Sequence, residues 1–161
     1  MKSGRKILKM IVLAIVVVFL LAQGIRIEKS NPPVRSDLAP VAVKPVLQRA
    51  CYNCHSNETV WPWYSNVAPA SWLVGMDVRE GREHLNFSEW SAYDSGTQSH
   101  KLRGIAEEVR GGEMPPWYYS LVHRGSRLSE AERTQILAWT TETIRQEKDS
   151  RDSAVRLNRS N

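Results

Sequence analysis

Two cysteines three positions apart, Cys51 and Cys54, with His55 directly after the second, constrain this chain more than anything else in it. They are its only cysteines. Thiols at i and i+3 fall on the same side of a helical turn, so the segment must offer both sulfurs to one object, with an imidazole beside them. In an exported chain two cysteines are ordinarily one disulfide. A redox dithiol of this spacing sits at the start of a helix that follows a strand, and no strand pattern precedes Cys51. A structural zinc site wants four nitrogen or sulfur ligands. Here a second cysteine pair is missing, and His84, His100 and His123 are scattered without ligand spacing.

The N-terminus bears on compartment. Lys2, Arg5, Lys6 and Lys9 precede an apolar run from Met10 to Ala22 that holds no polar side chain, the pattern of an export or anchor signal. Removing those four from the 22 basic residues leaves 18 against 17 acidic ones. The body is therefore nearly neutral, and the formal charge of +5 reflects a positive-inside N-terminus, not a nucleic-acid partner. Met10–Ala22 is shorter than the ~20 residues of a bilayer span. Ile7 to Ile27 reaches that length if Lys9 and Arg26 snorkel. The alternative is cleavage at the small-x-small site Ala22-Gln23-Gly24. Residues 1–27 are thus expected to be a signal anchor that leaves the rest of the chain outside the cytoplasm, or else a signal peptide whose removal leaves it soluble there.

Asn31-Pro32-Pro33 and Pro40 make 28–40 an extended linker. A domain follows over 41–146, and 147–161 is a charged tail with no apolar stripe, expected to be disordered. Val43, Val46, Leu47, Ala50 and Cys54 recur at helical spacing and lead into the cysteine segment. Residues 56–70 read as a packed loop. A second helix is expected from Ser71 to Leu85 with Ser71 near its cap. A third, over about 98–110, carries Leu102, Ile105, Ala106 and Val109 on one face and stops at Gly111-Gly112. The last opens on a capping box, Ser129 with Glu132, and carries Ile136, Leu137, Thr140 and Ile144. The class is all-α.

Cys51-Tyr52-Asn53-Cys54-His55 has the form C-x-x-C-H, which reads as the attachment site of a c-type haem. Each thiol adds to one vinyl group of the same porphyrin, and His55 binds the iron from one face. Iron held by one histidine has either an open face or a second ligand. Met114 is the candidate, because Gly111-Gly112 end a helix and Pro115 disfavours helical geometry for the residue before it. Met76 lies in a helical apolar pattern, where methionine fills core gaps. His123, nine residues after Met114, is the rival.

At these residues the chain resembles the c-type cytochrome group, and within it the bacterial haem-binding domain family. The resemblance runs from about Val41 to Ile144. It rests on Cys51 to Asn57, on Trp61-Pro62-Trp63-Tyr64-Ser65 with Pro69 and Trp72, on Gly112-Glu113-Met114-Pro115-Pro116, and on Leu128 to Glu132. It implies a small cytochrome c-like helical bundle whose first and last helices cross, with one covalent haem c per chain beneath a methionine-bearing loop. The Trp-rich stretch from Trp61 to Trp90 is longer than the same part of a minimal cytochrome c. Trp63, Tyr64 and Trp117 are expected to donate hydrogen bonds at the haem edge. His/Met ligation leaves no open position for substrate, so the expected function is one-electron exchange with redox partner proteins at the inner membrane, without enzymatic activity. The alternative is a sensor in which Met114 leaves and a small gas binds. A peroxidase-like enzyme stays open as a third reading, behind these two because it asks for a distal acid/base that the sequence does not identify.

Overall fold

A computed structural model describes residues 2–36 and 42–159, and every regular element in them is helical. In chain order these are α1 (Lys2–Ala22), α2 (Lys44–Ala50), α3 (Tyr52–His55), α4 (Ala70–His84), α5 (Ser95–Gly111), α6 (Trp117–Val122) and α7 (Glu130–Arg159), with short 3-10 turns between some of them. Among the described residues no strand forms; a single isolated bridge joins Ser36 and Glu89. The expected boundary between linker and domain, at Pro40 and Val41, lies outside the described residues, as do the last two residues of the tail.

The caps explain where the helices begin and end. Asp94 Oδ1 accepts from Thr97 N at 2.9 Å, which starts α5 earlier than its apolar periodicity announces. Gly112, at φ 78°, takes the left-handed conformation that ends α5. At α7 the capping box forms: Ser129 N donates to Glu132 Oε2 at 2.8 Å and Glu132 N donates to Ser129 Oγ at 3.3 Å. α4 opens one residue before Ser71, with Pro69 at its N-cap, and Ser71 is buried inside the first turn.

α7 does not stop near Gln146. It continues through Arg159, so the expectation of a disordered tail from 147 is corrected. The exposed continuation is held by its own side chains: Arg145 pairs with Glu142 and Asp149, and Ser150 and Ser153 bond back one turn.

α5 and α7 pack against each other along their apolar faces. Leu47 of α2, Leu102 of α5 and Ile136 of α7 meet at the centre with no exposed surface, and Tyr52, Phe87, Trp90, Val109 and Trp139 fill in around them. Tyr52 stacks on Phe87 at 5.0 Å, which anchors the turn between the two cysteines directly to the core.

The apolar N-terminal run forms α1 but not a membrane span, and the expected anchor helix over Ile7–Ile27 is corrected. The uncharged part, Met10–Ala22, is roughly 20 Å long at 1.5 Å per residue, against a hydrocarbon core of about 30 Å. No helix among the described residues is long and apolar enough to cross a membrane. The chain turns at Gln23–Ile25 and then runs as an extended strap along the domain. Ala68 N donates to Gln23 Oε1 at 3.0 Å, and Trp72 Nε1 donates to Ile25 O at 3.0 Å. Ile27 packs so tightly on Gly75 that a Cβ there would lie 2.8 Å from its Cγ2. Arg82 ties the strap to the segment after His55, donating to Ser30 O, Asn31 Oδ1, Ser56 O and Thr59 Oγ1.

Candidate functional site

α2 ends at Ala50, and Cys51, at φ −125° and ψ −38°, kinks the chain before α3 resumes. His55 N still donates to Cys51 O at 3.0 Å, so the C-x-x-C-H segment is one helical turn, as its spacing requires. Both sulfurs are free thiols on a cleft of about 650 Å³. That volume lies within the roughly 300–1,000 Å³ of cofactor pockets. α3, α4, α5 and α6 supply the walls.

Burial, reinforced by the neighbouring Cys54, pushes the Cys51 thiol up to about 12, with Arg49 opposing. Burial and then Asp77 push Cys54 up to about 11. A redox dithiol needs the opposite, a stabilised thiolate. Among the described residues no group of three or more His, Cys, Asp or Glu side chains could hold a metal ion by itself.

His55 is fixed from behind. Its Nδ1 lies 2.8 Å from Gly81 O and 3.2 Å from Leu85 O, both in the last turn of α4 or just beyond it. A carbonyl only accepts, so Nδ1 carries the proton and Nε2 keeps its lone pair. Burial lowers the imidazole's pKa against these two bonds, favouring the neutral ligand form. Such an outer hydrogen bond orients a metal-binding histidine and selects its tautomer.

α4 comes this close because residue 81 has no side chain: a Cβ on Gly81 would stand 2.6 Å from Cys54 O and 3.0 Å from Cys54 Cβ. Alanine is intrinsically favoured over glycine inside a helix by about 1 kcal/mol. Here the backbone contact reverses the sign. Gly81→Ala is expected to lower stability by about 1–3 kcal/mol through overpacking, measured by thermal or denaturant unfolding. An unchanged or raised midpoint contradicts the close packing.

Met114 lines the same cleft, half-buried, between the glycine stop of α5 and the start of α6. Glu113 N and Met114 N both turn back to Glu108 O. The structure thus brings Cys51, Cys54, His55 and Met114 together. His123 is elsewhere: its ring stacks on Tyr119 at 4.4 Å, and its Nε2 pairs with Tyr64 OH behind the cleft wall. His84 and His100, which the sequence leaves scattered, both line the cleft from its exposed side.

Trp63, Tyr64 and Trp117 do not line the cleft. Trp63 and Trp117 are 78% and 77% exposed, and Tyr64 instead borders a cavity of about 30 Å³ behind Cys54. The aromatic donors that face the cleft are Tyr118 and Tyr119, on α6. Asn53 Nδ2 donates to Tyr119 OH at 2.7 Å, tying the cysteine loop to α6, and Tyr118 OH donates to Asp77 Oδ1 at 3.3 Å, bridging α6 to α4. Neither tyrosine is singled out by sequence reading. The signal available was Pro116 followed by Trp117-Tyr118-Tyr119, a proline able to start a helix.

Two soft thiols on one turn, an imidazole with Nε2 unprotonated, and a thioether from another element of an apolar-walled cleft form a donor set that fits a covalently held haem. The profile of the "Haem-binding domain" family matches residues 15–142. Cytochrome c peroxidase Ccp of Escherichia coli (strain K12) is 26% identical over 110 residues, which is 66% of this chain. The chain spans 24% of that relative's length. No solved structure matches.

Proposed function

The chain belongs to the haem-binding domain family, and from that premise we propose that it is a monohaem c-type cytochrome of the bacterial periplasm that passes single electrons between redox partner proteins. The observation that carries this reading is the backing of His55. A histidine with Nδ1–H committed to Gly81 O and Leu85 O has only Nε2 to offer, and that is the form an iron ligand takes.

Cys51 and Cys54 would hold one haem c covalently, and His55 and Met114 would ligate its iron. Haem so ligated supplies a one-electron couple whose potential the methionine raises. The chain's own residues do the rest. Tyr52, stacked on Phe87, keeps the cysteine turn against the core, and α4 holds His55 at a fixed tilt. Leu85, Phe87, Ile105 and Val109 give the cleft apolar wall that excludes water. The cytochrome c-like character of the fold belongs to this proposal.

Periplasmic placement rests on α1. A basic segment followed by 13 uncharged apolar residues, Met10–Ala22, matches an export signal, whose apolar region is about 7–15 residues long. The strap that begins at Gln23 is already part of the domain's packing.

The similarity to a cytochrome c peroxidase favours a second reading, peroxide reduction at an open sixth position. One experiment decides. The full chain, co-expressed with haem-attachment machinery, is expected to exceed the polypeptide mass by one haem, and its ferrous form to resist carbon monoxide. A chain without covalent haem overturns the cytochrome. Ready binding of carbon monoxide turns the reading to a small-ligand sensor, and consumption of peroxide turns it to a peroxidase.

A further inference from the structure

We infer that Asp77 is a redox-linked proton site: its carboxyl group takes up one proton from solvent when the iron in the cleft gains one electron and releases it on oxidation. This rests on the reading of the cleft as a haem site.

Asp77 sits midway along α4 and borders both the large cleft and the small cavity behind Cys54; Asn53, Cys54 and Tyr119 are the other residues the two share. The small cavity, about 30 Å³, has room for a water molecule with several polar partners around it. On its far side Tyr64 OH and His123 Nε2 are paired, each side chain partly exposed. Asp77 is itself partly exposed, so its carboxyl group exchanges protons with solvent directly.

The groups facing Asp77 come from every element around it. Glu80 is on its own helix, Cys54 on α3, Tyr118 and Tyr119 on α6, Tyr64 on the 3-10 turn at 63–66, and His123 at the end of α6. Arg82, also on α4, is the permanent cation at the small cavity's wall, where it donates to Thr59 Oγ1 and acts on Cys54; it is not among the causes that shift Asp77. Along the large cleft Lys101 alone among the described residues is such a cation, against Asp77, Glu80, Glu83 and Glu108, and it is already engaged by His84 O and the Tyr93 ring. Burial holds the Asp77 carboxyl above the usual carboxylate range, with the Tyr118 hydrogen bond opposing and Glu80 adding to the rise.

The balance is simple. A one-electron donor protein turns ferric to ferrous iron, the cleft loses one positive charge, and one proton from solvent on an Asp77 oxygen restores it. No other bond changes. Oxidation draws the proton off because the ferric charge favours the carboxylate.

The test is the reduction potential of the haem-loaded full chain across about pH 4–8, the range open to a raised carboxyl group. The potential is expected to fall as pH rises through the Asp77 titration and then to level off. Asp77→Asn is expected to remove that slope and hold the potential near the acid limit, with the visible spectrum unchanged. Glu80→Gln keeps the slope. Tyr64→Phe keeps it too. A flat wild-type profile, or a slope that survives Asp77→Asn, overturns the site. A chain that carries no haem by mass refutes the underlying cytochrome reading instead.

Discussion

Replacing Cys51 and Cys54 together by alanine is expected to abolish covalent haem completely. The wild-type chain, denatured in detergent and run on a gel, keeps its colour and its peroxidase stain; the double variant shows neither, and its mass falls to that of the polypeptide. Attachment needs both sulfurs on one face, and the turn from Cys51 to His55 supplies that through the 3.0 Å bond from His55 N to Cys51 O. Single variants are expected to keep one thioether and a reduced yield. Neither thiol is bonded to the other, though Cys51 packs against the core, so alanine there also removes some packing. Covalent haem in the double variant refutes the attachment site outright.

The second large effect is expected at Met114. Met114→Ala removes the thioether that the loop between α5 and α6 brings into the cleft. The ferric protein is expected to lose its sulfur-to-iron charge-transfer band, the ferrous protein to bind carbon monoxide, and the potential to fall within the roughly 0.8 V that axial ligands command. His123→Ala is expected to leave all three unchanged, because that ring is committed to Tyr64 and Tyr119. If Met114→Ala has the wild-type spectrum, the methionine is not a ligand. If His123→Ala changes it, the imidazole has left its place behind the wall.

What the sequence made legible is local. The cysteine–histidine turn, the Ser129–Glu132 capping box and the glycine stop at Gly112 each lie within five consecutive residues, and each forms as its spacing dictates. What it hid is contact between distant segments. Trp63 and Trp117 read as haem neighbours because an indole N–H can donate at a haem edge, but the cleft is walled by Tyr118 and Tyr119 and leaves both tryptophans outside. The run from Glu28 to Ser36 reads as a linker because prolines break helices. Yet Asn31, Pro33 and Ser36 find partners at Thr59, Asn57 and Ser88, more than twenty residues on, that no periodicity reveals. The ion pairs that prolong α7 past Gln146 were within reach of sequence alone. There the search for an apolar stripe overrode the charge pattern.

The hydrogen bonds that hold His55 also set an order of events in biosynthesis. Its partners Gly81 and Leu85 stand 26 and 30 residues downstream, and Met114 lies further along the chain still. As the chain emerges from its N-terminus, the two thiols and the imidazole appear first, on a segment with nothing behind it. α4 follows and locks the ring, and the methionine loop arrives last. Under the proposed haem attachment, machinery acting on the emerging chain would meet a His55 not yet held by these carbonyls, and a nascent chain that ends before Leu85 lacks one of the two that select its tautomer.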